Sequence, residues 1–489
     1  MKHSNYSRRD FIKGIGIAGG FSLLGSTVDA QILRKSFIRK RCKDAGAIIR
    51  KNFKNLTAAE LTAFKNGVAV MKSRSAVNPN DPTGWTYQAA IHGTFTTPVQ
   101  TAWNTCQHGN KFFLSWHRMY LCFFERILRK ASGMPSLGLP YWNYSDATDA
   151  NARFLPEAFR SPANATNPLF TANRNPDINN GMAQLSAISV SLTSVLPGPL
   201  GFNPFSGNVE STPHGNVHVG VGGGMSSFQF AGLDPIFWLH HCNIDRLWNR
   251  WLAGGGGRSN PPATDTAWHN TNFTFFDENG TQVQMKGADI VDAANSSCRS
   301  CYDEEAFFII WEVLPWLWKY LDIRIGIYRK PIVLDTKRLR FVIDLNDKAA
   351  EFFARALRAA KPDDELNFRL NFEGAKADKP VEFFYEVYLN LPENVTEPNY
   401  KMESYAGNLS FFGADQKHST SHGEKEDLKF GVNVTDAVKR LKNLGATKTL
   451  SVTLVPTGLV SRDERRLPIR SDAKVSVEQI TLSVQEREK

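Results

Sequence analysis

Cysteine is scarce in this chain, with six in 489 residues, too few for a fold held by a disulfide framework. No uninterrupted apolar run approaches the ~20 residues that a bilayer-spanning helix needs. The nearest candidate, Ala306 to Trp318, is broken by Glu312 and Pro315 and reads as a packed linker helix. Internal repeats are absent, and neither sign of charge dominates: 58 Lys and Arg stand against 48 Asp and Glu, a net +10. Basic side chains gather near Arg34 to Lys43, but no aromatic–basic interleaving accompanies them, so a nucleic-acid partner is not expected. What is present is a 42% apolar and 22% charged composition. That excludes a disordered or collagen-like chain and supplies a sizeable core. The length suits two to four domains at ~100–200 residues each.

The first thirty residues read as an address. Ser7-Arg8-Arg9-Asp10-Phe11-Ile12-Lys13 precedes a glycine-rich apolar stretch to Leu24, and Val28-Asp29-Ala30 supplies a small-residue cleavage site. This is the anatomy of an export signal, and the paired arginines resemble the twin-arginine type, which carries folded proteins. The expected destination is periplasmic or extracellular. The apolar stretch is too short to anchor the mature chain. Removing residues 1–30 leaves a charge of about +8.

Beyond the signal, Leu61, Phe64, Val68 and Met71 recur at helical spacing. Residues 83–130 hold aromatic and His-rich helical patterns, and 145–212 are rich in Asn, Pro, Ser and Thr and read as surface loops. A second strong helix is predicted from Asp234 to Trp251, with Pro235 in its first turn. From Pro331 the pattern shifts to strands, such as Arg340 to Leu345, Glu382 to Leu389 and Thr449 to Val455, with a helix over Asp347 to Ala360. The expected division is 1–30 signal, 31–302 core, 303–330 apolar linker and 331–489 a strand-rich domain.

The histidines are distributed unevenly: seven of eleven lie between His92 and His241. His214 and His218 are four apart, so on a helix they share one face and can grip one metal. A third histidine from the His240-His241 pair would complete a three-histidine site. His92, His108 and His117 would make a second. Imidazole ligation suits Cu, Zn, Fe or Ni. One HxxxH pair is a weak signal; two sets of three beside strongly patterned helices are not.

Phe112-Phe113-Leu114-Ser115-Trp116-His117-Arg118-Met119-Tyr120-Leu121, ending in Phe124-Glu125, resembles the first copper motif of tyrosinases and polyphenol oxidases. Asp234-Pro235-Ile236-Phe237-Trp238-Leu239-His240-His241, with Asp245 and Trp248, resembles the second. The resemblance implies a mainly α fold: a four-helix-bundle dicopper core with long loops, followed by a strand-rich, β-sandwich-like C-terminal domain. It implies type-3 chemistry, in which two copper ions and O₂ convert o-diphenols, and in some members monophenols, to o-quinones. His92, His108 and His117 would bind CuA, and His214, His218 and His241 would bind CuB. Adjacent helical residues point ~100° apart, so His240 is expected outside the ligand set. An O₂ carrier of the haemocyanin kind shares the coppers without turnover and is the alternative.

The same resemblance suggests further roles. Glu210, four residues before His214, would hold a water and accept a phenol proton. Gly215, where strong monophenol hydroxylases often carry Asn, favours o-diphenol oxidation. Phe228 would gate the site or simply pack in the core. Cys106 would form a thioether with His108 or remain a free thiol. Asp245, one turn after His241, would fix a histidine tautomer or pair with Arg246 or Arg250. Independently of the resemblance, which assigns these cysteines no framework, Cys298 and Cys301 are candidates for a disulfide in an oxidising compartment. The C-terminal domain, whose Glu403 to Asn408 resembles a strand of the plant enzymes, would act as a lid, with a side chain between Leu409 and Phe412 plugging the pocket. His418 and His422 read as a solvated loop pair.

Overall fold

The computed structural model describes residues 46–193, 195–196, 201–255, 257–291, 298–304, 320–358, 366–415, 430–441 and 448–487. The export signal, most of the apolar linker, Cys42, His418 and His422 lie outside these residues. Among the described residues no helix is long and apolar enough to cross a membrane.

Helix α1 (Ala58–Val77) begins with a capping box, in which Glu60 N–H donates to Thr57 Oγ1 and the Glu60 carboxylate accepts from Thr57 N–H. Its predicted stripe buries Phe64, Val68 and Met71, while Leu61 is half-buried at the open first turn. Helix α2 (Trp85–His92) delivers His92 at its last residue. Helix α3 (Phe113–Ser132) packs on α1 and is buried nearly all round through its first four turns, as a helix at the centre of a core must be. Strand β1 (Ile48–Arg50), helix α4 (Asn216–Val221) and helix α5 (Pro235–Ala253) complete the frame around it. Asp234 caps α5 through Ile236 N–H at 3.0 Å and takes a bidentate pair from buried Arg174 at 2.7 Å each.

Strand β2 (Ser300–Tyr302) pairs in parallel with β1. The C-terminal region forms one eight-stranded antiparallel sheet from β3 (Tyr320–Tyr328), β4 (Leu339–Leu345), β5 (Asn367–Glu373), β6 (Phe384–Leu389), β7 (Tyr405–Ser410), β8 (Phe430–Asn433), β9 (Thr449–Thr457) and β10 (Gln479–Arg487). Its order is β7-β6-β9-β4-β3-β10-β5-β8. Alternation sets the faces: in β4, Phe341 and Ile343 point into the core and Val342 points out. Helix α6 (Asp347–Arg358) presses Phe352, Phe353 and Ala356 onto the inner face. The edge strands β7 and β8 meet, so the sheet curls on itself. A β-sandwich was expected; a single curled sheet with a small three-stranded companion is found, because twist in a long antiparallel sheet is relieved by closing its edges.

Three expectations change. The described residues are about 34% helix and 22% strand, a mixed fold rather than a mainly α one, with most strands in the C-terminal region and most helices in the core. Strand β3 lies within the stretch read as linker, so the strand-rich region starts at Tyr320. Cys298 pairs with Cys122 of α3, not with Cys301, which is itself disulfide-bonded. The two regions are joined by main-chain pairing of Ala183–Gln184 with Val460–Ser461 and by a bidentate Arg470–Asp177 pair at 2.9 and 3.0 Å.

Candidate metal centre

Six histidines from six separate segments converge in one buried place. His92 ends α2, His108 sits in the loop before α3, and His117 lies one turn into α3. His214 sits in a wide π-type turn, Glu210–Gly215, which Thr212 interrupts with an extended backbone. Such turns re-aim side chains at functional sites. His218 is on α4 and His241 on α5.

The ring orientations are set by backbone carbonyls. Nδ1 of His92 lies 2.9 Å from Phe228 O, that of His117 2.7 Å from Phe113 O, that of His214 3.1 Å from Glu210 O, and that of His218 2.7 Å from Met225 O. A carbonyl only accepts, so each Nδ1 donates and each Nε2 carries a lone pair. Those lone pairs point at one another. His92 Nε2 is 3.3 Å from His108 Nε2, and His218 Nε2 is 3.2 Å from His241 Nε2. His117 Nε2, His214 Nε2 and His241 Nδ1 are buried with no hydrogen-bond partner. Burial also holds the pKa of His117, His214, His218 and His241 well below the ordinary 6.5, with the neighbouring histidines reinforcing it. These rings are therefore neutral. Neutral imidazoles with converging, unsatisfied lone pairs are costly unless a cation lies among them, and neutral imidazole is the ligating form. The donor set fits metal ions that favour nitrogen.

His240 stands closer than expected. Its ring stacks on His214 at 5.4 Å, and one of its nitrogens falls within 4.8 Å of those of His214, His218 and His241. Nδ1 is 3.1 Å from the Tyr144 hydroxyl, and burial lowers its pKa to about 3.

The other sequence candidates divide. The Glu210 carboxylate accepts from Gly109 N–H at 2.7 Å and lies 3.2 Å from His108 Nδ1, while its carbonyl accepts from His214 Nδ1, so the residue touches both histidine sets. Desolvation pushes its carboxyl up to about 8, against the Gly109 hydrogen bond and the nearby Arg369. Phe228 stacks on His108 at 4.5 Å and meets His92 edge-on at 5.9 Å. Cys106 is a free thiol within 4.8 Å of the His92 and His108 nitrogens, and burial raises its pKa well above the thiol range.

Asp245 is not at the site. It accepts from Arg50 at 3.1 Å, Arg118 at 2.5 Å and the Tyr302 hydroxyl at 2.5 Å, all buried. It neither orients His241, whose Nδ1 has no partner, nor pairs with Arg246 or Arg250. Buried arginines 195 and 127 residues away claim both its oxygens first.

Among the residues that sequence reasoning did not single out is Phe412, which was only bracketed by the apolar stretch Leu409 to Phe412. It stacks on His218 at 3.9 Å and touches Phe228 at 4.6 Å, closing a cluster with Val219 and Phe384. Phe237 packs on His241 at 4.2 Å and His92 at 4.9 Å. The signal for Phe237 was its place one turn before His241. Arg50 had no signal, because all its partners are distant in sequence.

The family model for the common central domain of tyrosinase matches residues 82–205 and 163–254. The polyphenol oxidase middle domain matches 263–311, and a domain of unknown function matches 324–485. A tyrosinase of Hahella sp. (strain CCB-MM4) is 30% identical over 449 residues, covering 80% of this chain and 91% of that protein. A latent-form polyphenol oxidase of Prunus armeniaca is 28% identical, covering 82% and 71%. The structure of latent apple tyrosinase superposes with a TM-score of 0.61 at 22% identity, covering 90% of this chain and 97% of that one, a likeness of fold.

Proposed function

The chain belongs to the tyrosinase and polyphenol oxidase family, and from that premise we propose how its residues divide the work. It is a type-3 copper oxidase of phenols, with two copper ions as cofactor and O₂ as oxidant. His92, His108 and His117 hold one ion in this reading, and His214, His218 and His241 the other. The observation that carries it is the convergence of the Nε2 atoms: His92 on His108 at 3.3 Å, His218 on His241 at 3.2 Å, with Nε2 of His117 and of His214 buried among them without a hydrogen-bond partner. The bound coppers supply the electron exchange between phenol and O₂.

The chain's own residues do the rest. Carbonyls of Phe113, Glu210, Met225 and Phe228 hold the rings in one tautomer. Phe228, stacked on His108 and met edge-on by Phe412, is proposed to form an aromatic wall beside a phenol once Phe412 is displaced. Glu210, poised near neutrality at about 8, is the residue proposed to accept a phenol proton. Gly215 offers no side chain to assist hydroxylation, so o-diphenols are the proposed substrates. With the copper-loaded protein, catechol turnover is expected to exceed tyrosine hydroxylation; comparable rates would overturn this preference. Quinone formation also separates the enzyme from an O₂ carrier.

The C-terminal sheet is the proposed lid over the helical core, itself read as a four-helix bundle. Phe412 occupies the face of His218 that a substrate ring would approach, which supports latency. Phe412→Ala in the full-length protein should raise catechol turnover about tenfold by emptying that face. Unchanged turnover would sink the plug. Export to an oxidising compartment is supported by the Cys122–Cys298 disulfide, and the twin-arginine route is proposed from Arg8 and Arg9. A protein retained in the cytoplasm of expressing cells would contradict it.

A further inference from the structure

Gly215 has an ordinary helical backbone, φ −60° and ψ −36°. Any residue adopts those angles, and glycine is among the poorest choices there. The backbone therefore does not demand glycine; the lid side chain packed beside it admits a Cβ only if Ser410 Oγ moves. A Cβ at 215 would sit 2.2 Å from Ser410 Oγ and 3.4 Å from Ser410 Cβ. Ser410 is the last residue of β7, buried and paired opposite Phe384.

The edge strands are held on the core by more than this contact, β7 through the chain at Ile188 and β8 through the His214 turn. Asn408 Nδ2 donates to Ile188 O at 2.8 Å, and Ser211 Oγ donates to Gly431 O at 2.8 Å. Two residues past Ser410, Phe412 stacks on His218. Gly413 follows with φ +80°, and a Cβ there would lie 2.2 Å from the Phe228 ring. The lid tip thus nests against the site at two positions where a side chain is missing, one on each partner.

We infer that Gly215 is a positioning residue that seats the lid: its bare Cα admits Ser410, and that fit places Phe412 over the histidines. This rests on the latency reading above. It gives the glycine beside His214 a role separate from substrate choice. A side chain at 215 lifts β7 from the core side, and a larger side chain at 410 lifts it from the lid side.

The test uses copper-loaded full-length protein, with catechol turnover and amide hydrogen exchange across residues 405–412 as paired readouts. Gly215→Ala should raise turnover about fivefold and speed exchange in that segment, as overpacking of a tight contact does. Ser410→Gly, which deletes the opposing atoms, should restore both readouts to within about twofold of the parent in the double variant. Ser410→Val leaves the metal-binding turn untouched and should shift both readouts in the same direction as Gly215→Ala. Altered turnover with unaltered exchange, or failure of Ser410→Gly to reverse the effect, would overturn the seat. Were Phe412→Ala to activate while Gly215→Ala and Ser410→Val do not, the seat would fall and the plug would stand. If none of the three activates, the covered-site reading fails as well.

Discussion

Replacing Arg50 by Met is expected to destabilise the folded chain by about 3–5 kcal/mol, because it removes the one cation that two buried carboxylates share. Arg50 Nε donates to Glu125 at 3.1 Å, and Nη1 donates to Asp245 at 3.1 Å and to the Tyr302 hydroxyl at 3.0 Å. Glu125 also takes the Leu139 N–H at 2.7 Å, and Arg118 lies over the Trp248 ring at 3.7 Å while holding Asp245. The network ties β1, α3, α5 and β2 together beneath the histidines. Removing one member leaves charges that no water can reach, which is why the loss exceeds that of an exposed pair. Urea unfolding with the copper content held equal measures it. A change under about 1 kcal/mol would show that Arg118 at Asp245 and Arg129 at Glu125 suffice without Arg50.

His241→Ala is expected to halve the bound copper and to lower catechol turnover by more than ~100-fold, beyond what loss of an outer hydrogen bond does. His240→Ala, one residue earlier, should keep both ions. The two rings leave the helix ~100° apart; His241 Nε2 faces His218 Nε2 at 3.2 Å, whereas His240 is engaged with Tyr144. The His240 variant should instead lose stability by about 1–3 kcal/mol, the cost of leaving the buried Tyr144 hydroxyl unpaired. Metal analysis of the two purified variants decides the matter. Copper lost equally from both would make His240 a ligand and revise the set.

The parts of the site legible in sequence were those with local spacing. His214 and His218 are four apart on consecutive turns, and the Asp234-Pro235 start of α5 marks both the cap and the register of His241. The strands of the C-terminal region were legible by alternation. Their sheet order was not, because β7 and β8 sit at opposite ends of the order and meet only when the sheet curls. Asp245 was misplaced because a carboxylate one turn from a histidine has the right spacing for either neighbour. Spacing along one helix carries nothing about Arg50 or Arg118 arriving from elsewhere.

By itself the sequence determined the chemistry available: which nitrogens could bind metal, which helices carry them, and that one chain holds a histidine-rich core and a strand-rich region. Those follow from side-chain type and local period, and both are written in consecutive residues. The tertiary structure alone decided which ring faces are covered. Phe412 lies on His218 and Ser410 fills the space beside Gly215 because a curled sheet more than 190 residues away docks on the His214 turn. Close packing across that distance depends on the shape of both surfaces, and no short-range pattern in either segment encodes it.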